Sequence, residues 1–510
     1  MNSLIPLYII IPLGSAFLTV IFGRWLQCLG KYLVNLSLLF LTGLTLHLIL
    51  YGPQTMTYRV GGFADVATVP IAIFLVMDGF TKIMLLIISL VGLLVAFYST
   101  SYTKQYTGEE KFYTLFSLML AGMFGVVIAG DIFNLYVFLE IASISSYALV
   151  AFGIEKHQLE ATFKYQVLGG VSSLIILTGI GFLYWATGTL NLADIANQLT
   201  KIEGNTLSLF VSVLLLSGFG LKAAMVPFHS WLPDAHSSAP SPISAMLSGV
   251  LIKAIGIYVI IRLFFNIFQL NYEIAMTITV LGTLSMIIGA LLAVGQWDFK
   301  RLLAYSSISQ VGYVILGIGI GLLVLTTGGK LSIAVLAITG GLFHLLNHSV
   351  FKALLFLNAG SVEYRTGTRD LRKLGGLSEK MPVTSGSSFV ASMSISGIPP
   401  FNGFFSKVII IIAAIQAGYY WLAFLAVIIS IITLAYFTKV LKYVFSKELH
   451  PQHESVKEVP FNMSLSMIIF AILCLVLSLL IVPGVREVFL DPAVNALIET
   501  AHYSTKVIGI

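Results

Sequence analysis

The sequence predicts an all-α polytopic membrane protein, and three observations carry that reading. The 510-residue chain is 58% hydrophobic and only 10% charged, with a mean hydropathy of +0.97. A soluble domain needs a larger charged fraction to cover its surface. Apolar runs near the length at which a helix crosses roughly 30 Å of hydrocarbon recur along the whole chain. Finally, six ionisable side chains lie deep inside such runs: Glu140, Lys222, Lys253, His348, Lys352 and Lys407. A charge at the bilayer centre costs about 2.5–3.5 kcal/mol even on insertion scales, so each of these needs a function or a buried partner.

Fourteen spans are predicted in order: 4–22, 32–50, 80–99, 113–130, 132–152, 161–186, 206–226, 242–265, 274–295, 302–323, 332–358, 383–415, 419–445 and 462–483. The first starts without a basic segment and lacks a small-residue cleavage site, so it reads as a retained span rather than a signal peptide. The twelfth is too long for one crossing and contains Pro399-Pro400, which predicts a broken helix. Pro227-Phe228 followed by Trp231 in the seventh span resembles Pro400-Phe401 followed by Phe404 in the twelfth. Interrupted segments in corresponding halves are the usual pointer to an ion site in transporters built from inverted repeats. The segment from Gly484 to Ile510 holds no further span and no long amphipathic helix.

The net charge of +6 invites a nucleic-acid reading, but the basic residues sit in short loops between spans, where they set topology. Fifteen lie in loops on one side, among them Arg24, Lys300, Arg301 and Arg369; six lie in the opposite loops, among them Arg262 and Lys506. The bias places the first set in the cytoplasm and both termini outside it. Lys82, Lys164 and Lys439 lie close to span ends and read as interface anchors. Cys28 and Cys474 are isolated, so this chain's cysteines build no disulfide framework, iron–sulfur cluster or zinc site. No phosphate-binding glycine loop is present. No cofactor, no metal and no nucleic-acid partner is expected.

The intramembrane groups suit proton transfer. Glu140 sits mid-span in FNLYVFLEIASISSYALV; it either stays protonated against Ser143, Ser145 and Ser146 or exchanges a proton with a nearby cation. Lys222, in SGFGLKAAMVPF, precedes the break at Pro227 by five residues, and Lys253 lies about eleven residues inside its span. His344, His348 and Lys352 recur every four residues in GLFHLLNHSVFKALLFLNAG, which stacks them on one helix face. Metal binding by the two histidines lacks a further ligand nearby in sequence. Lys407 follows the second break and is either an exit site or a snorkelling lysine. His229, Asp234 and His236, in PFHSWLPDAHSSAPSP, read as a cytoplasmic loop that either shapes a proton inlet or is structural.

These residues also carry a resemblance. KAAMVPFHSWLPDAHSSAPSPISAMLSGVLIKAIGIYVIIR, with FLEIASISSYALVAF, EATFKYQVLGGVSSL, KRLLAYSSISQVGY, NHSVFKALLFLNAG and GIPPFNGFFSK, resembles the antiporter-like subunits shared by respiratory complex I, Mrp cation/proton antiporters and membrane-bound hydrogenases. The match covers roughly 75–505, and it looks most like the Mrp D subunit and its hydrogenase or sulfane-sulfur reductase counterpart. It implies fourteen helices with broken helices seven and twelve: helices 1–3 over 1–112, inverted five-helix repeats over 113–265 and 274–445, and helix 14 with a tail over 446–510. By motif, Glu140 and Lys222 become the input pair and Lys253 the link to the centre. His348 and Lys352, with His344 beside them, become the central relay, and Lys407 the terminal residue, a position where some members carry Glu.

The resemblance implies a prokaryotic cytoplasmic-membrane subunit that moves H⁺ with Na⁺ as the coupled ion, alongside other membrane subunits in the lipid bilayer. A redox-driven pump module is the alternative; it needs no redox site in this chain. A non-conducting scaffold is the third reading, against which the cost of six intramembrane groups argues.

Overall fold

The computed structural model describes all residues except 24, 27, 63–71, 202–204, 500–504, 506 and 508–510. Arg24 and Lys506, both counted in the charge bias, lie outside the described residues.

Helices α1 (Leu7–Phe22) and α2 (Leu29–Tyr51) lead into a two-stranded antiparallel sheet, β1 (Met56–Arg59) and β2 (Phe74–Met77), in which Met56 pairs with Met77. This sheet is not among the predicted elements, because four-residue strands are too short for alternation to stand out. Then come α3 (Gly79–Tyr102), α4 (Glu109–Ile128), α5 (Ile132–Val150), α6 (Lys156–Thr187) and the short α7 (Leu192–Leu199). Next are α8 (Asn205–Lys222), α9 (Trp231–Ser238), α10 (Ser241–Ile267), α11 (Tyr272–Val294), α12 (Phe299–Thr326) and α13 (Leu331–Thr366). The chain continues through α14 (Pro382–Ser396), α15 (Asn402–Gln416), α16 (Tyr420–Ser446), α17 (Phe461–Ile481), α18 (Pro483–Phe489) and α19 (Asp491–Ile498).

Among the described residues, 12 helices are long and apolar enough to cross a membrane. The predicted seventh and twelfth spans are the interrupted ones. In the first interruption the helix stops at Lys222 itself, five residues before Pro227. Ala224 takes a left-handed φ of 53°, and the Trp231 indole donates to the Leu221 carbonyl (3.0 Å), tying α9 back to the end of α8. The second interruption begins at Gly397, whose φ of 79° ends α14. The Pro399-Pro400 pair keeps the chain from resuming a helix until Asn402. Gly403 is required there, since a Cβ would lie 1.8 Å from the Ser394 carbonyl oxygen.

The helices differ sharply in enclosure. The apolar window of α10 is 100% buried, against 33% for α1, α2, α16 and α17, so α10 is a central element and those four face outward. A helix that is apolar all round can be buried by protein as well as by lipid, and Lys253 therefore sits in a protein interior. α10 approaches the end of α8 closely at Gly256, where a Cβ would stand 2.7 Å from the Ala223 backbone nitrogen.

Three loop expectations are corrected. Asp234 and His236 stand on helix α9 rather than in a loop, because Trp231, Leu232 and Ala235 bury an apolar face that the polar-looking segment conceals. Arg262 and Lys300 are not solvated loop charges. Both are buried in helices, at 3% and 2% exposure, and each has a carboxylate partner.

Candidate functional site

The intramembrane groups fall into three clusters along the molecule. In the first, α5 carries Glu140 and α8 ends at Lys222, with α6 between them. The Lys222 ammonium lies 3.8 Å from a Glu140 carboxylate oxygen and donates to the Ser143 and Ser173 hydroxyls, each at 3.1 Å. The Ser173 hydroxyl in turn donates to Glu140. Lys222 is buried, whereas the Glu140 side chain is 28% exposed and reaches the flank of the molecule. Of the two readings of Glu140, the one that rests it on its own helix's serines finds no hydrogen bond to them among the described residues. Ser145 bonds the Ile141 carbonyl and Ser146 the Ser143 carbonyl, as hydroxyls one turn on commonly do.

The second cluster is Lys253 alone. Its ammonium donates to the carbonyls of Ser248 (2.5 Å) and Gly249 (2.9 Å) on its own helix. Those carbonyls face it because α10 widens into π-type turns at Leu247–Leu251 and again at Lys253–Ile257. Such wide turns are rare and concentrate at functional positions. Among the described residues Lys253 shares no hydrogen bond with Lys222, His348 or Lys352.

The third cluster joins α12, α13 and the second break. His344 bonds the Ser406 hydroxyl (3.0 Å) through Nδ1 and the Gln310 side-chain oxygen (3.1 Å) through Nε2. His348 stacks parallel to it, with ring centroids 6.3 Å apart, and its two buried ring nitrogens have no protein partner among the described residues. Lys352 donates to the Leu303 carbonyl (2.7 Å) and the Ser306 hydroxyl (2.5 Å). His344 and Lys352 therefore both address α12, which their position on one helix face allows. Asn347 ties α13 to the start of α15 by donating to the Asn402 carbonyl (2.9 Å). Lys407 donates to the Ile395 carbonyl (2.8 Å) at the end of α14 and to Ser430 (3.2 Å), with the Tyr313 ring 4.7 Å away. It is buried in protein, which sets the snorkelling alternative aside.

The three inlet candidates separate. His236 is fully buried against Phe356, with ring centroids 5.2 Å apart, and neither ring nitrogen has a protein partner among the described residues. Asp234 opens to a surface cleft and binds Arg301 (2.7 Å) and Lys164 (3.1 Å). His229 is half-buried before α9. Of the lysines read as interface anchors, Lys82 is buried and donates to the Pro53 carbonyl (2.6 Å), and Lys439 donates to the carbonyls of Val294 and Gln296.

The hydroxyl and amide partners were missed by sequence reasoning: Ser173, Ser306, Gln310, Ser406 and Ser430. Their only signal was a polar residue mid-span, a signal shared with every serine that merely bonds its own backbone.

Chemically, the arrangement is a row of enclosed amines and imidazoles plus one carboxylate, most held by a hydroxyl or a backbone carbonyl. Such groups can take up and release protons. Two family models match the chain. One, described as NADH:quinone oxidoreductase/Mrp antiporter, TM, spans residues 129–433; the other, the N-terminus of chain 5 of NADH-ubiquinone oxidoreductase (complex I), spans 63–113. The D subunit of the Na(+)/H(+) antiporter of Alkalihalophilus pseudofirmus is 33% identical over 461 residues, covering 89% of this chain and 90% of that protein. A chain of the Mrp complex from Dietzia sp. DQ12-45-1b matches with a TM-score of 0.89 at 27% identity, over 100% of this chain and 99% of the other. A chain of the membrane-bound sulfane sulfur reductase, an archaeal respiratory membrane complex, matches with a TM-score of 0.87 at 29% identity, over 99% of both. With the motifs, the interrupted helices and these likenesses in agreement, the chain belongs to the NADH:quinone oxidoreductase/Mrp antiporter transmembrane family.

Proposed function

We propose that this chain is a proton-translocating, antiporter-like subunit of a multisubunit membrane complex, and that it moves H⁺ along a buried axis coupled to Na⁺/H⁺ antiport. The axis runs Glu140, Lys222, Lys253, His348 with Lys352 and His344, then Lys407. The observation that carries the reading is the hydrogen-bonded set Glu140–Ser173–Lys222, which couples a carboxylate at the molecule's flank to a buried lysine at a helix end. At about 4 Å and an effective dielectric near 20, opening such a pair is worth about 4 kcal/mol, enough to change markedly how readily a neighbouring lysine gives up its proton. The likeness to the D subunit of an Na(+)/H(+) antiporter supports the choice of coupled ions.

The same reading takes fourteen crossings, twelve continuous and two interrupted, with 113–265 and 274–445 as inverted repeats after helices 1–3 (1–112) and before helix 14 with its tail (446–510). The loop charge bias supports a cytoplasmic-membrane orientation with both termini outside the cytoplasm. Partners are the other membrane subunits of the complex.

Redox-driven pumping is the second reading, supported by the likeness to a respiratory sulfane sulfur reductase complex. The deciding experiment is pH-gradient-driven Na⁺ uptake in proteoliposomes holding the purified native complex without redox substrate. Exchange that disappears in Lys253→Ala supports antiport. Flux that requires an electron donor and acceptor overturns it in favour of the redox module.

A further inference from the structure

On the face that carries most loop cations, α12, the end of α13 and the segments flanking α6 and α9 enclose a cavity of about 480 Å³. Lys300, in the first turn of α12, forms part of its wall. Its ammonium donates to the Ala239 carbonyl (2.7 Å), lies 3.4 Å from a Glu363 carboxylate oxygen and is 2% exposed. Glu363, near the end of α13, is 30% exposed. The other charged groups facing the cavity around Glu363 are Arg369 at 3.5 Å, with Asp298, Asp370, Glu155 and His157 across the space. Ser241, at the start of α10, also reaches Glu363 (3.5 Å).

Behind Ala239 the chain leads straight to the enclosed interior. His236, three residues back, is fully buried with both ring nitrogens unpartnered among the described residues, and it stacks on Phe356, one helical turn from Lys352. Burial and the neighbouring Lys352, Lys253 and Lys300 all disfavour the charged form of His236, so a proton reaching it is held weakly and passed on. The Lys300–Glu363 pair thus has one partner open to the cavity and one shut away from it. It marks the boundary between a roomy polar space and the axis.

We propose that this cavity is the aqueous inlet of the axis, with Glu363 the carboxylate that collects protons and Lys300 the ammonium that passes them inward toward His236. The proposal rests on the transport reading above. In each cycle cavity water protonates the Glu363 carboxylate, a Lys300 N–H proton moves to the His236 imidazole, and the Glu363 O–H proton returns to Lys300. The pair ends as it began, and one proton has advanced. While Glu363 is ionised its charge holds Lys300 in place; once it is protonated, only the Ala239 carbonyl does.

The test is Glu363→Gln in the native complex, reconstituted in oriented vesicles, with protons supplied from the cavity side. Flux is expected to fall about tenfold at pH 8, to recover largely at pH 6 where protons are abundant, and to be restored by Glu363→Asp. An unchanged flux, or an equal loss at both pH values that Asp does not rescue, overturns the inlet and leaves Glu363 a structural partner of Arg369. If the Gln variant does not assemble, a water-soluble carbodiimide applied from that face to the unmutated complex is expected to derivatise Glu363 and slow flux in parallel. Full flux with Glu363 derivatised overturns the proposal. Absence of proton flux in the native complex would instead overturn the transport reading itself.

Discussion

Glu140 and Lys222 meet through a third residue: the Ser173 hydroxyl donates to the Glu140 carboxylate and accepts from the Lys222 ammonium, while the two charges stand 3.8 Å apart. The spacing leaves an attraction large enough to hold the pair and no direct hydrogen bond between the two charges. A hydrogen bond to a charged group contributes about 1.5–3 kcal/mol, so removing the bridge alters how tightly the two charges are coupled.

Ser173→Ala tests this. The complex is expected to assemble normally and to transport about tenfold more slowly at neutral pH, since roughly 1.4 kcal/mol of lost coupling corresponds to a factor of ten. Ser173→Thr, which keeps the hydroxyl, is expected to stay near wild type. Initial rates in proteoliposomes decide it, and an Ala variant with wild-type rates would show that the charges couple without the bridge.

Lys253 separates transport from stability. Its ammonium is fully buried, is held only by two carbonyls of its own helix and has no carboxylate partner among the described residues, so the fold bears its desolvation cost. Lys253→Met fills the same space without charge. The variant complex is expected to be at least as heat-stable as wild type while proton-driven transport disappears. A lower melting temperature together with retained transport would reverse the assignment of this residue.

The order of the helices and the two interruptions were legible in the sequence because lipid demands whole apolar runs and proline cannot sit quietly inside one. The lysines and histidines were legible for the same reason, since each is an expensive exception in such a run. What holds them was not. Ser173 lies 33 positions from Glu140, and Ser306 lies 46 from Lys352, so only the packing of α5 on α6 and α12 on α13 brings them together. The burial of His236 was hidden by the polar residues around it in sequence. Arg262 and Lys300 were misread because a cation near a span end looks alike whether it faces water or a buried carboxylate.

Asp78 and Arg262 form such a hidden pair. The guanidinium donates to both carboxylate oxygens, at 2.6 and 2.9 Å, and also reaches Thr81, Tyr258 and Asn266; the side chains are 6% and 4% exposed. The pair fastens α3 to α10. Asp78→Ala removes both charge-assisted hydrogen bonds that this buried cation makes to its carboxylate and is expected to cost about 3–5 kcal/mol, read as a lower melting temperature and a lower yield of assembled complex. Asp78→Leu with Arg262→Met should cost less than either change alone. Transport per assembled complex is expected to stay unchanged, and a selective transport defect would draw this pair into the axis.

A structural and a proposed transport role of Lys407 can be tested apart. The lysine caps the end of α14 by donating to the Ile395 carbonyl, and it stands at the far end of the proposed axis beside Ser430, whose hydroxyl bonds the Ser396 carbonyl. Lys407→Gln keeps a donor of nearly the same reach but carries no exchangeable charge. Lys407→Ala removes both the donor and the charge, leaving the Ile395 carbonyl without that partner at a cost of about 1–3 kcal/mol. If the lysine only fastens the interruption, Gln restores both assembly and transport. If it is the terminal proton carrier, Gln restores assembly and melting temperature while transport stays lost, and this is the expected result. The comparison reads function against a structural baseline at the same atom, so a transport-competent Gln variant would end the axis at His344 and leave Lys407 a helix cap.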